Sequence, residues 1–456
     1  MDDNRMYGIP DLKERFAEVF PGSPEPTICR APGRVNLIGE HTDYNGLPVL
    51  PMTIDRDIGV AMTPRKDHLV HLHNLDKAFP DREFRNEPDI PPSQAGAWEN
   101  YSKAAVQALN VHFGVSDFPG MNLVAAGSIP IAAGLSSSSA LVVASALAYL
   151  SALGKKLGED ITRIELAGLL ADAEHYVGTR GGGMDQAIIL LGKRDGALKI
   201  DFFPLRVEEV SLPPDFEIII CNSLVRAKKT GNALHRYNQG PRTCRLICAL
   251  VERQVQRDFG EEVSIQRLGD LWLGHLCLTD SEVADLFDRA VPEATMTIEE
   301  AAGALDMTPE EIRERWLGDL KQPDDGFPLR ARMRHQLTEY QRVELARDAL
   351  QAGDAEELGR LMNESHESCA RDYQISCPEL ECLVATAREA GALGARLTGA
   401  GMGGCTVNLI PAAIHDAFIE HVDRGYYREY LAQHPRTHPH SPIFSPKATD
   451  GAGYID

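Results

Sequence analysis

Residues 127–148 read GSIPIAAGLSSSSALVVASALA. The apolar run MNLVAAG, residues 121–127, predicts a strand, and ALVVASALAYLSALG, residues 140–154, predicts an Ala- and Leu-rich helix. Glycines and four consecutive serines, Ser136 to Ser139, lie between them. Small residues let backbone N–H groups approach an anion closely. The first turn of a helix leaves such groups unpaired at the positive end of its dipole. Hydroxyls from Ser136 to Ser139 add donors and potential oxygen ligands for Mg2+. The same residues would equally serve as a serine-rich cap on a buried helix. No GxxxxGK[ST] motif is present, so the segment is not a Walker A loop.

The segment sits inside the longest uncharged stretch, residues 118–154. Its length would allow a membrane span, but Pro130, the glycines and the serines interrupt it. A buried strand, a small-residue loop and a buried helix are expected instead. The chain has 456 residues, which suggests two or three domains. Hydrophobic residues make up 43% and charged residues 25%, which excludes disordered, collagen-like and membrane-embedded chains. The net charge of −21 repels phosphate backbones and anionic lipid, so neither nucleic acid nor membrane is an expected partner. A local pocket can still oppose that field and hold a phosphate ligand.

The N-terminus, MDDNRMYGIP, has neither the apolar region of a secretory signal nor the Arg-rich character of a transit peptide. Nine cysteines are scattered without a CxxC pair. They are expected as buried thiols in a reducing cytoplasm, with Cys244 and Cys248 on one helix face. His434, His438 and His440 lie among prolines and are expected in a solvated loop, because no carboxylate or thiol completes a metal set.

Elsewhere, residues 11–20 predict an amphipathic helix, residues 27–62 strands and residues 98–113 a helix. Residues 164–178 predict another helix, and GGGMDQ, residues 181–186, a loop opening a further one. The Pro-rich residues 202–216 precede the strand-like FEIIICNS, so a domain boundary is placed at 208/209. Residues 241–360 are charged and mostly helical. Within them, residues 291–318 form a small helical insertion with capping signals at Thr297 and Thr308. A helix is expected over 378–391, followed by a strand approached through ARLTGAGMGGCTVNLI.

RAPGRVNLIGEHTDYNG, residues 30–46, packs Arg34, Glu40, His41, Asp43 and Tyr44 into a short span. Such residues after a strand suit a polyhydroxylated ligand, since carboxylates accept from hydroxyls and His accepts or donates. A polar turn holding a salt bridge would use the same residues. The segment resembles the galactokinase signature of the GHMP small-molecule kinase family. PIAAGLSSS, residues 130–138, resembles that family's ATP-binding loop, PxxxGLSSS. GGGMDQ resembles its catalytic-aspartate segment, and LTGAGMGGCT, residues 397–406, its C-terminal glycine motif. The resemblance runs over nearly the whole chain in order and spacing. The Glu-rich insertion, HESCARDYQISCPEL and the quadruple serine are similar to the N-acetylgalactosamine kinase branch.

The resemblance implies an α+β, two-domain GHMP kinase fold with the active site in the interdomain cleft. Residues 1–208 would form the N-terminal domain and residues 209–456 the C-terminal one. It implies ATP as co-substrate, Mg2+ as cofactor, a small-molecule sugar as the other partner, a monomer and a cytoplasmic location. Asp185 would accept or orient the sugar C1-hydroxyl proton, and Arg34 would stabilise phosphoryl charge and keep Asp185 ionised. The sugar residues carried over are Arg34, Glu40, His41, Asp43, Gly182, Asp185 and Tyr237. ATP would lie against Gly134, Leu135, Ser136, Ser137, Ser138, Ser139 and Ala140, with Trp98 and Tyr101 near the adenine. Ser138 and Glu174 match the Mg2+ positions.

One departure bears on the substrate. Where galactokinases often read YNxRRxxC, this chain has Tyr237-Asn238-Gln239-Gly240-Pro241-Arg242-Thr243-Cys244. The N-acetylgalactosamine branch tends to have Phe at the tyrosine position, so Tyr237 favours galactose. Galactose 1-phosphorylation is therefore expected, with N-acetylgalactosamine as the runner-up. The other readings are a 1-kinase for a different sugar, or a galactose and ATP sensor without chemistry. The intact GLSSSSA and Asp185 weigh against the sensor.

Overall fold

β-branched and apolar residues dominate Thr27–Ile38 (β1) and Leu50–Arg65 (β2), and β1 is buried without interruption from Ala31 to Ile38. Strands covered on both faces carry such continuous runs. The remaining strands are β3 (Leu69–Asn74), β4 (Arg82–Arg85), β5 (Gly120–Gly127), β6 (Gly196–Asp201), β7 (Arg206–Ser211), β8 (Phe216–Asn222), β9 (Gly394–Leu397), β10 (Cys405–Pro411), β11 (Ile443–Phe444) and β12 (Gly453–Ile455). The computed structural model describes residues 9–178, 181–226, 232–260, 263–274, 276–433 and 442–455. His434, His438 and His440 lie outside them.

A six-stranded sheet runs β12-β1-β2-β5-β3-β4, antiparallel except for the β3–β5 pair. A four-stranded antiparallel sheet runs β11-β8-β10-β9, and β6–β7 forms a separate hairpin. The helices are α1 (Leu12–Val19), α2 (Glu99–Phe113), α3 (Ser137–Ala152), α4 (Arg163–Ala173), α5 (Met184–Leu191), α6 (Asn232–Phe259) and α7 (Asp270–Leu273). They continue as α8 (Asp280–Ala290), α9 (Ile298–Leu305), α10 (Pro309–Ile312), α11 (Leu329–Ala352), α12 (Ala355–Arg371), α13 (Pro378–Glu389) and α14 (His415–Val422).

The long uncharged stretch becomes β5, the Gly/Ser loop and α3. Helix α3 is buried on every side from Ser139 to Leu150, as a helix apolar all round must be. Among the described residues no helix is long and apolar enough to cross a membrane. Thr297 and Thr308 cap α9 and α10 through reciprocal bonds with Glu300 and Glu311. All nine cysteines are free thiols, six of them buried, and Cys244 and Cys248 share a buried face of α6.

The strands of the second sheet all follow residue 215, but the chain end does not stay with them. β12 pairs with β1 and completes the first sheet. The main core also crosses the boundary: Val343 and Ala346 of α11 and Leu358, Leu361 and Met362 of α12 pack with the apolar residues of β1 and β2.

Helix α11 lies in the stretch read as charged and mostly helical, yet Arg332, His335, Gln336, Glu339 and Arg342 are all buried. Glu339 accepts from Arg342 and Ser365 and lies 4.0 Å from Arg396. Burial alone would raise its pKa. Arg342, His335 and Arg396 outweigh that, and the hydrogen bond from Ser365 adds to them, bringing the pKa down to about 2 from an ordinary 4.5. His335 is itself held neutral by burial, so the two arginines carry the charge effect at neutral pH.

A depressed carboxylate pKa stabilises the fold fully above its unfolded value and loses that contribution as pH falls through the folded value. The effect here is on the order of 3 kcal/mol. In urea titrations, the stability advantage of wild type over Glu339→Gln should therefore shrink as pH is lowered from about 6 to about 3. A gap independent of pH would refute this coupling.

Candidate active site

The Gly/Ser loop reaches α3 through Ser136, which has φ +61° and makes no side-chain cap. Its hydroxyl is buried and has no hydrogen-bond partner among the described residues. The start of a 16-residue helix thus offers backbone N–H groups and a spare hydroxyl together, an arrangement suited to an anion. The LTGAGMGGCT loop backs this segment. A Cβ on Gly134 would lie 2.7 Å from the Thr398 oxygen, and one on Gly399 would lie 2.6 Å from the Gly134 oxygen. The Cys405 N–H donates to the Ala133 oxygen at 3.0 Å. The glycines let the two backbones touch where any side chain would hold them apart.

Beside the loop, β1 shifts register between Pro32 and Arg34. The Arg34 side chain is 5% exposed, and its Nε and Nη2 lie 2.8 and 2.6 Å from Asp185 Oδ1. Its Nη1 donates to the Gly134 carbonyl at 2.6 Å. One guanidinium therefore ties the first turn of α5 to the Gly/Ser loop. Ser139 Oγ lies 2.5 Å from Glu174 Oε1 and 3.3 Å from Asp185 Oδ2. A hydroxyl carries one proton, so it serves one carboxylate at a time.

Asp43 joins this group through Gly182 and Met184, whose N–H groups donate to its Oδ2 at 3.0 and 3.4 Å. Burial first, and the Asp185 charge second, raise the Asp43 pKa. Tyr237, on α6, faces the same carboxylates. Burial and then Asp43, Asp185 and Glu174 push its phenol well up, so it remains a protonated donor.

The His41 ring lies against Tyr44, Tyr237 and Tyr373. Its Nε2 faces the Ala400 carbonyl at 3.3 Å, which can only accept. A neutral ring therefore carries its proton on Nε2 and takes a bond from the Tyr44 hydroxyl on Nδ1 at 2.9 Å. Tyr44 in turn pairs with Tyr373 at 2.6 Å. Glu40 is only 2% exposed, and its Oε1 accepts from Gly399 N at 2.9 Å and from Arg396 at 3.4 Å.

Arg34, Glu40, His41, Asp43, Tyr44, Glu174, Asp185 and Tyr237 line one cleft with Gly181, Gly183, Gln186, Gly399 and Ala400. The cleft is narrow, with about 40 Å3 of enclosed space. A cavity of about 720 Å3 adjoins it, with Tyr44, Gly181 and Gly183 in both walls.

The structure thus gathers Arg34, Glu40, His41, Asp43, Glu174, Asp185 and Tyr237, with Gly182 against Asp43. Two expectations fare differently. Trp98 is 5% exposed in the core, and its Nε1 donates to the Pro80 oxygen, so its ring is committed to packing. Tyr101, half-buried, feels the Glu174 charge. The hydroxyl found between the carboxylates is that of Ser139, one position beyond the expected Ser138. Sequence reasoning missed Tyr373, which lies in a segment noted only for a branch resemblance. It also missed Arg396 and the buried polar face of α11, whose residue types resemble those of a solvated helix.

Residues 14–64 match the galactokinase galactose-binding signature, residues 100–193 the GHMP kinase N-terminal domain, and residues 346–425 the GHMP kinase C-terminal domain. The chain is 34% identical to the galactokinase of Dictyostelium discoideum, covering 94% of this chain and 90% of that protein. It is 35% identical to the galactokinase of Roseiflexus sp. (strain RS-1), covering 99% and 98%. The chain belongs to the galactokinase family. The crystal structure of Lactococcus lactis galactokinase complexed with galactose superposes with a TM-score of 0.75 at 28% identity, over 97% of this chain and 98% of that one. The Methanococcus jannaschii mevalonate kinase structure, at 18% identity and a TM-score of 0.56, shares the fold. The two-domain GHMP kinase fold expected for the chain is therefore the fold it has, and as a kinase of this family it uses ATP as co-substrate.

The site of this family member places a carboxylate, a guanidinium and a helix start within one side chain's reach. That arrangement can position a hydroxyl beside a phosphoryl group and stabilise charge on its oxygens.

Proposed function

We propose that the chain transfers the γ-phosphoryl group of ATP to the C1 hydroxyl of galactose, giving galactose 1-phosphate and ADP. The observation that carries this reading is Arg34, which bonds Asp185 on one side and Gly134 of the Gly/Ser loop on the other. The C1 oxygen forms the new bond to γ-phosphorus, and the bond from phosphorus to the bridging oxygen of ADP breaks. Asp185 orients the hydroxyl and receives its proton. Arg34 stabilises charge on the equatorial phosphoryl oxygens, since the loose transition state needs positioning more than nucleophile activation. The ATP phosphates lie along residues 134–140, where the Ser136 hydroxyl and the α3 N–H groups receive them.

Carboxylate and hydroxyl oxygens are the hard donors that Mg2+ takes, and Glu174 and Asp185 both approach the Ser139 hydroxyl. Glu174, with Ser139 or its neighbour Ser138, would hold the ion together with phosphate oxygens and water. When bound, Mg2+ neutralises phosphate charge and holds the phosphates in line for transfer. Tyr101 remains the better adenine neighbour of the aromatic pair. The nine unpaired thiols support a cytoplasmic enzyme, which we take to act as a monomer.

Galactose is the preferred substrate in this reading because the Tyr237 phenol can bond a sugar hydroxyl where phenylalanine cannot. With ATP and Mg2+, purified protein should show its highest kcat/KM on galactose in a panel with N-acetylgalactosamine and arabinose. An equal or higher kcat/KM on N-acetylgalactosamine would reverse the ranking.

A further inference from the structure

The turn Gly39-Glu40-His41 is held by a helix 300 residues away in the chain. Gly39 and His41 both have positive φ, +95° and +60°, so the turn is conformationally unusual. The N–H groups of Gly39 and Glu40 both point at Glu339 Oε1, at 2.9 and 3.3 Å. The carbonyls of Glu40 and His41 accept from His335 Nε2 and Gln336 Nε2, at 3.0 and 2.9 Å. Residues 335, 336 and 339 lie within about one turn of α11 and are 0% exposed. Val343, one turn further, packs against Gly39, where an added Cβ would come within 3.0 Å of its side chain.

We infer that Gln336 and Glu339 are positioning residues for sugar recognition, acting through the backbone of residues 39–41. They touch no reacting atom. Four polar backbone groups of the turn are bonded by side chains of one helix, and the aim of Glu40 and His41 into the cleft follows from that backbone. Loss of a partner weakens the hold on a buried polar group, most for the His41 carbonyl, which would keep only the longer bond from Asn45 Nδ2 at 3.4 Å, and the turn restores a full bond only by shifting. Gln336 shows the role most cleanly. Its Nε2 holds the His41 carbonyl, while its Oε1 is buried with no partner among the described residues. An apolar residue of similar size there removes the orphaned acceptor along with the clamp.

The inference rests on the 39–41 turn binding the sugar, so each variant is assayed with a sugar that the wild type phosphorylates. Gln336→Leu should leave Tm unchanged or raised, raise sugar KM about tenfold, and leave ATP KM unchanged. A tenfold change corresponds to about 1.4 kcal/mol, within the range for one buried hydrogen bond. Glu339→Gln should raise sugar KM as well, and Glu339→Leu should raise it further, because the amide still offers an oxygen to the two N–H groups. Should the Glu339 variants fail to fold, Gln336→Leu decides alone. An unchanged sugar KM in Gln336→Leu, or equal rises in both substrate KM values, would overturn the inference and leave α11 a support of the fold only. Failure of wild type on galactose but not on another sugar would overturn the substrate assignment and leave the clamp to be judged on that sugar.

Discussion

Asp185→Asn is expected to lower kcat by about 10²–10⁴-fold, the range for losing a positioned proton acceptor, while ATP binding is retained. The substitution is nearly isosteric, and an amide oxygen can still accept from Arg34 Nε, so the tie between α5 and the Gly/Ser loop should survive. What is lost is the negative charge. Asp185 carries the carboxylate that Arg34 bonds, and its other oxygen faces Ser139 beside Glu174. ATP, by contrast, is assigned to the start of α3, where backbone N–H groups and Ser136 do the work. Steady-state turnover with equilibrium titration of ATP separates the two. A kcat within about tenfold of wild type would remove Asp185 from the proton-transfer role.

Gly182→Ala should be nearly as damaging, for a steric reason. A Cβ built there lies 2.1 Å from Tyr44 N and 2.2 Å from the Asp43 carbonyl carbon, both backbone atoms that no rotamer change can move aside. The Gly182 N–H also donates to Asp43 Oδ2, so forcing the segments apart breaks that bond and displaces Asp185 three residues on. Misplacement of about 1 Å is enough to cost about 10²-fold in turnover. Gly168→Ala is the matched control. It sits in α4 with nothing within 4 Å of its Cβ position, and the change should stabilise the protein by about 0.5–1 kcal/mol with normal activity. Comparable turnover in the two variants would show that the glycine segment tolerates a shift that its geometry here forbids.

Much of the framework could be read from local signals. The β5–loop–α3 unit, the buried character of α3 and the caps at Thr297 and Thr308 each depend on neighbours within a few residues. Arg34, Asp43 and Asp185 were likewise legible as motif members. Less legible were side chains whose role depends on a distant partner. Trp98 offered an aromatic ring for adenine, and the Pro80 carbonyl together with the core claimed it. His41 could have donated or accepted freely, and Tyr44 and the Ala400 carbonyl constrain its tautomer. Which serine meets Glu174 turned on the first turn of α3, a matter of one residue and about 100° of rotation.

Residue order by itself determined the alternation of strands and helices, the glycines at close approaches and the chemical inventory of the cleft. These follow from periodicity, backbone freedom and side-chain type, which are properties of short segments. Tertiary structure alone decided that β12 returns to pair with β1, that α11 buries five polar residues, and that a helix near residue 339 holds a turn near residue 40. The physical reason is that a charged or polar group is tolerated in the interior only where its partner already stands, and partners 300 residues away leave no periodic trace.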